Sequence, residues 1–194
     1  MVWGKNGTPE TLTGTDDNIE VTSMDNNKFN VILSHTLPSG NIASYMSFNS
    51  STAGEYAYRQ WENNGGDSTA TGQTVVVYDT GGSANDKFEI TYICDISGHN
   101  KLCIGFGIAR GGSGAGTNVL RGDYIWKRAN NSTITTVEND TSAQTGTFAI
   151  GSNISALGSD LTATSELTVQ DGSIFYETDT NKSYVLSSNV WTEL

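Results

Sequence analysis

The sequence predicts an all-β chain, an antiparallel β-sandwich of jelly-roll-like type followed by a small C-terminal β-meander. Three observations carry this. Apolar residues recur at period two in short runs, the spacing of half-buried strands. Gly-, Asn- and Ser-rich punctuation separates those runs. Helix formers are scarce in a chain with 22 Gly and only 16% charged residues, which disfavours bundles and coiled coils. A hydrophobic fraction of 36% over 194 residues still suffices for one core, with aromatic residues supplying much of the burial.

Taken in order, the period-two runs predict strands over Asn18–Thr22, Lys28–Thr36, Asn41–Phe48, Glu55–Trp61 and Gln73–Tyr78. Further strands follow over Asp86–Ile96, Lys101–Ala109, Val119–Arg128, Ser132–Glu138, Thr147–Ile150 and Asn153–Leu157. Pro38-Ser39-Gly40, the stretch 63–67, Gly81-Gly82 and the Gly-rich 111–116 read as turns or loops. The last of these has no following Lys-Ser or Lys-Thr and no helix to aim at phosphate, so it is a connection and not a nucleotide loop. Beyond a boundary near Ser165, Asp171–Leu186 reads as strand, turn and strand, and Val190–Glu193 as a last short strand. The chain therefore divides into a sandwich domain, 1–165, and a meander, 166–194. The meander is too small to hold a core of its own, so it is expected to dock on the sandwich or on a neighbouring subunit.

The clearest hairpin is Asp86–Ala109. Phe88, Ile90, Tyr92, Cys94 and Ile96 share one strand face, and Leu102, Ile104, Phe106 and Ile108 share one face of the return strand. The two rows meet across a three-residue loop, Gly98-His99-Asn100, with Ile96 opposite Leu102 and Asn100 left-handed. Read as core, the rows bury Cys94 and turn Cys103 to the other side. A two-residue turn would instead set Cys94 opposite Cys103, as in a cross-strand disulfide, but would scatter the large residues over both faces. Both cysteines are expected free.

A net charge of −11 and a pI near 4.4 argue against nucleic acid as a partner. No apolar run is long enough to insert in a bilayer, and the opening Met1–Asn6 lacks the apolar stretch of a signal peptide. The two histidines, His35 and His99, are not set in a nucleophile pattern, and two cysteines nine residues apart are not a zinc ligand set. No catalytic residue, metal or cofactor is expected. Glu55, Glu62 and Glu89 leave open a paired-carboxylate glycan hydrolase or lyase. The group most suggestive of a ligand is aromatic: Tyr56, Tyr58 and Trp61, beside the polar Asn63 and Asp67. Stacking faces next to planar polar groups are how non-catalytic proteins hold sugar rings. A freestanding carbohydrate-binding module is therefore a further alternative, against core or inter-subunit packing for the same aromatics.

Several segments resemble structural or tail-associated proteins of marine bacteriophages and environmental viruses. They are the Trp-Gly-Lys-Asn-Gly opening within Met1–Thr8, Phe29–Gly40, Met46–Ser50, Gly54–Arg59 and Asn63–Gln73, then Phe148–Ser152 with Leu157–Asp160. The ending Asp171–Leu186 with Trp191 is similar to a terminal module of many phage virion proteins. The resemblance implies a β-sandwich, often trimeric, in a tail fibre, spike or capsid surface, and supplies no catalytic residues. The expectation that follows is a virion structural protein in an extracellular particle. Its partners would be copies of itself, as a trimer, other virion proteins, and host-surface glycan.

Overall fold

The computed structural model describes residues 3–40, 42–62, 67–83, 86–110, 119–141, 146–159, 171–188 and 190–194. The chain forms two compact units, Met1–Thr164 and Ser165–Leu194. Among the described residues there is no helix, and hence none long and apolar enough to cross a membrane.

In the first unit the strands are β1 (Trp3–Lys5), β2 (Glu10–Thr11), β3 (Asn18–Val21), β4 (Phe29–Thr36), β5 (Ile42–Phe48), β6 (Tyr56–Glu62) and β7 (Ser68–Gln73). They continue as β8 (Val76–Ser83), β9 (Lys87–Cys94), β10 (Lys101–Arg110), β11 (Val119–Arg128), β12 (Val137–Asp140) and β13 (Asn153–Ser159). A nine-stranded antiparallel sheet runs β1-β13-β4-β9-β10-β11-β6-β7, with β2 also on β13, and a four-stranded sheet runs β3-β12-β5-β8. Side chains from both sheets enclose one core. Ile19, Val21, Met46, Phe48 and Val137 come from the smaller sheet, and Ile32, Tyr56, Ile93, Cys103 and Ile154 from the larger. The unit is thus a β-sandwich of unequal sheets. Tyr56 is wholly buried, and its hydroxyl oxygen accepts the Phe48 backbone N–H across the core at 2.8 Å.

The alternating runs mark most strands, with four kinds of difference. Gly81-Gly82, expected as a turn, lies inside β8. The short β1, β2 and β7 carry little alternation; β7 reads Ser-Thr-Ala-Thr-Gly-Gln, which resembles a loop in composition. The stretch expected as a strand over Thr147–Ile150 makes only isolated bridges from Phe148 to Asp16 and Pro38. Of Ser132–Glu138, only the end is strand, beginning at Val137. The Gly-rich 111–116 and Asn63 lie outside the described residues.

The second unit is a three-stranded meander, β14 (Ile174–Glu177), β15 (Lys182–Ser187) and β16 (Val190–Glu193). Phe175 meets Tyr184 and Trp191 on one face, at ring-centroid distances of 6.2 and 6.1 Å, beside the buried Leu186.

Candidate functional site

The β9–β10 hairpin departs from its expected orientation. The two apolar rows do share a face, but the register is Cys94 opposite Leu102, Tyr92 opposite Ile104, Ile90 opposite Phe106 and Phe88 opposite Ile108. That is two residues away from the pairing expected, and it opens a six-residue connection, 95–100. Gly98, not Asn100, takes the left-handed conformation there, at φ 77°, where a residue without Cβ is unstrained. The face is also reversed. The apolar rows point out of the sandwich, and six of their side chains stand between 43% and 57% exposed: Phe88, Tyr92, Leu102, Ile104, Phe106 and Ile108. Cys94 is half-buried and Cys103 is in the core, the opposite of the expected burial, and both are free. Burial pushes the Cys103 thiol well above its usual range, with the Asp95 carboxylate adding to the shift.

Two local features explain the reversal. The first is a buried ion pair at the hairpin connection. Asp95 and Lys101 are both wholly buried, with Lys101 Nζ 2.8 Å from Asp95 Oδ1. Asp95 Oδ2 accepts the Ile134 backbone N–H at 2.9 Å, and its own backbone N–H donates to Lys28. Lys101 Nζ also donates to the Ile96 carbonyl at 2.8 Å. Strand alternation then puts Lys87, Glu89, Thr91 and Ile93, and Cys103, Gly105, Gly107 and Ala109, on the inner side with them. The second feature is that inner row of β10. Gly, Gly and Ala occupy little volume on the side where β8 of the smaller sheet comes against β10, and the large residues of the strand stand on the other.

The outward rows continue across β4, where Phe29 pairs with Cys94, Val31 with Tyr92 and Leu33 with Ile90. Tyr92 and Phe106 meet edge to face at a 6.4 Å centroid distance. At one end of this surface is an apolar groove of about 500 Å³, lined among others by Trp3, Phe29, Tyr92, Cys94, Leu102 and Ile104. The result is a contiguous exposed apolar surface on a polar, acidic chain.

The residues expected to contact glycan do not form one platform. Tyr56 is enclosed in the core and Tyr58 packs against it; with no exposed surface, Tyr56 is corrected from ligand contact to core residue. Trp61 lies on the opposite face of β6, half-buried, on the same side as Arg59. Arg59 is paired with the exposed Asp67, its Nε 2.9 Å from Oδ2. Trp61, Arg59 and Asp67 therefore remain together at the β6–β7 edge, and Asn63 lies outside the described residues.

Of the carboxylates considered for chemistry, Glu55 is held in an ion pair. Glu55 accepts from Arg128 Nε at 2.7 Å and from Asn130 at 2.9 Å, and Arg128 itself is buried. Burial alone raises the Glu55 pKa, but the Asn130 and Arg128 hydrogen bonds and the Arg128 charge outweigh it and hold the group below its usual range. Glu89 is closed in the interior. His35 is exposed on the outward side of β4 and His99 on the connection after β9. Among the described residues, no three His, Cys, Asp or Glu side chains gather as a metal site.

Sequence reasoning missed the apolar surface because the alternation itself fixes which residues share a face but not which face is wet. The signal that could have found it is the row of Gly and Ala on β10, with Asp95 and Lys101 at matching parity. No family model, curated protein or solved structure matches this chain significantly.

Two predictions follow from these ion pairs. Lys101→Met leaves the Asp95 charge buried without its partner and should destabilise the fold by about 3–5 kcal/mol in urea unfolding, with part recovered in the Asp95→Asn/Lys101→Met double variant. Because the folded Glu55 pKa is lowered from 4.5, the stability it contributes is complete above the unfolded value and lost as pH falls through the folded one. Glu55→Gln should therefore cost about 1–3 kcal/mol at neutral pH, and the gap to wild type should close in acid.

Proposed function

We propose that this chain is a structural component of a virus particle, at a tail fibre, spike or capsid surface, and that it works by packing within a closed homo-oligomer. The observation that carries the reading is the outward apolar face of β4, β9 and β10. A hairpin that turns its large aromatic and aliphatic rows to the surface, while its inner side carries a buried ion pair and small residues, is organised for assembly. The acidic, small-polar remainder, at net charge −11, keeps such units soluble and apart except where they are shaped to meet. The resemblance of the opening and closing segments to virion proteins points the same way. Antibodies raised against the folded chain should decorate intact particles in the electron microscope; labelling confined to disrupted host material would contradict the reading.

Host-glycan attachment is a second role, favoured by Trp61 standing with the Arg59–Asp67 pair at the β6–β7 edge. An aromatic face beside a planar charged pair can stack on a sugar ring and bond its hydroxyls. On a glycan array, Trp61→Ala should lower binding by about tenfold or more without shifting the melting transition. Unchanged binding would remove this edge from the attachment role.

A further inference from the structure

We propose that the outward face of the β9–β10 hairpin is covered by a second copy of this chain, packed sheet face against sheet face. The inference rests on the assembly reading and names its partner.

Three observations select a second copy over another occupant. The first is area. Side chains roughly half exposed along β9 and β10, extended by Trp3 and Leu157 at the edge of the same sheet, offer on the order of 800 Å² of apolar surface, the share of each partner in a standard-sized interface. A small ligand in the groove would leave most of that surface wet.

The second is charge. Between the Phe88–Ile108 and Cys94–Leu102 pairs, the outward positions of β9 and β10 are Phe88, Ile90, Tyr92, Cys94, Leu102, Ile104, Phe106 and Ile108, and those of β4 are Phe29, Val31, Leu33 and His35. None of these is Asp, Glu, Lys or Arg; charged residues begin at the border, where β11 pairs Arg121, Asp123 and Lys127 with Ile108, Phe106 and Leu102. On a chain of net charge −11 the patch itself is a surface where another acidic chain meets no like charge, with two basic positions and one acidic at its rim. A basic partner would find its complement elsewhere on the molecule, not here.

The third is shape. Across the hairpin each aromatic of one strand stands opposite an aliphatic of the other: Phe88 opposite Ile108, Phe106 opposite Ile90, Tyr92 opposite Ile104. Large and smaller side chains thus alternate across these three pairs and along β9, a relief suited to interdigitation of two identical faces. The groove bounded by Trp3, Phe29 and Leu102 lies at one end of this relief, and Phe88, Phe106 and Ile108 at the other. Two copies related by a two-fold axis running across the strands bring the second end of each over the groove of its partner, an isologous arrangement.

The test is the mass of the full chain in solution by light scattering and sedimentation, from about 1 to 100 µM, a range that spans common homo-oligomer affinities. Wild type should have a mass of two or more 20.7 kDa chains, and Phe106→Glu should shift it to one chain, weakening association by about a hundredfold or more. Because Phe106 lies outside the core, circular dichroism should be unchanged. Should that charge prevent folding, Tyr92→Thr/Ile104→Thr keeps strand propensity and should dissociate the assembly likewise. An oligomer that both variants leave intact overturns the proposal. So does a monomeric wild type, and the dye anilinonaphthalene sulfonate then separates the two readings. A dye-binding monomer overturns self-pairing alone and leaves the face for another particle component; a monomer that does not bind dye overturns the assembly reading as well.

Discussion

The Asp95–Lys101 ion pair is the interaction on which the orientation of the larger sheet turns. Each charge is removed completely from water, which costs several kcal/mol per ion unless geometry and extra hydrogen bonds offset it. Here the carboxylate takes one backbone N–H and the ammonium reaches a backbone carbonyl. Because the pair closes the connection between two adjacent strands, it fixes the parity of both. The odd positions from Lys87 to Ala109 on β9 and β10 face inward, and the even positions from Phe88 to Ile108 face out.

The consequence is a division of labour between the two sides of one sheet. Inside, Gly105, Gly107 and Ala109 let the smaller sheet approach, and Ile93 and Cys103 join the shared core with Ile32, Tyr56 and Phe48. Buried charges continue along the same side with Arg128, held by Glu55. Such a lining gives less hydrophobic stabilisation than the aromatic rows would have given, and the deficit is one that burial in an assembly can repay. Fold and the proposed assembly face are linked through the same strands: what specifies the inner face also decides what the outer face presents.

Much of this fold was legible in the sequence, and the reasons for the exceptions are physical. Period two in Phe29–Thr36 and Val119–Arg128 marks β4 and β11 because pleated strands alternate whatever lies on either side. Which residues of Phe88–Ile108 share a face was equally legible. Which face is buried was not, because that depends on the rest of the molecule, here on which side the opposing sheet lies. Tyr56 and Tyr58 sit on one face as alternation requires, yet alternation does not say that the face is the core. Asp67 comes to Arg59 beside the β6–β7 pairing, and β7 has no apolar signature by which that pairing could be anticipated. Strand order was beyond reach for the same reason: the neighbours β13 and β4 are more than a hundred residues apart in sequence.

The central claim is that the buried pair holds the apolar rows outside, and side-chain accessibility at two adjacent positions of β10 tests it most directly. In a Cys94→Ser background, labelling by a thiol reagent is compared between native Cys103 and a thiol placed by Ile104→Cys with Cys103→Ser, both in dilute, dissociated protein. Position 104 should label while the fold is intact and position 103 only as the chain unfolds. Rapid labelling at 103 with protection at 104 would mean the hairpin faces the other way.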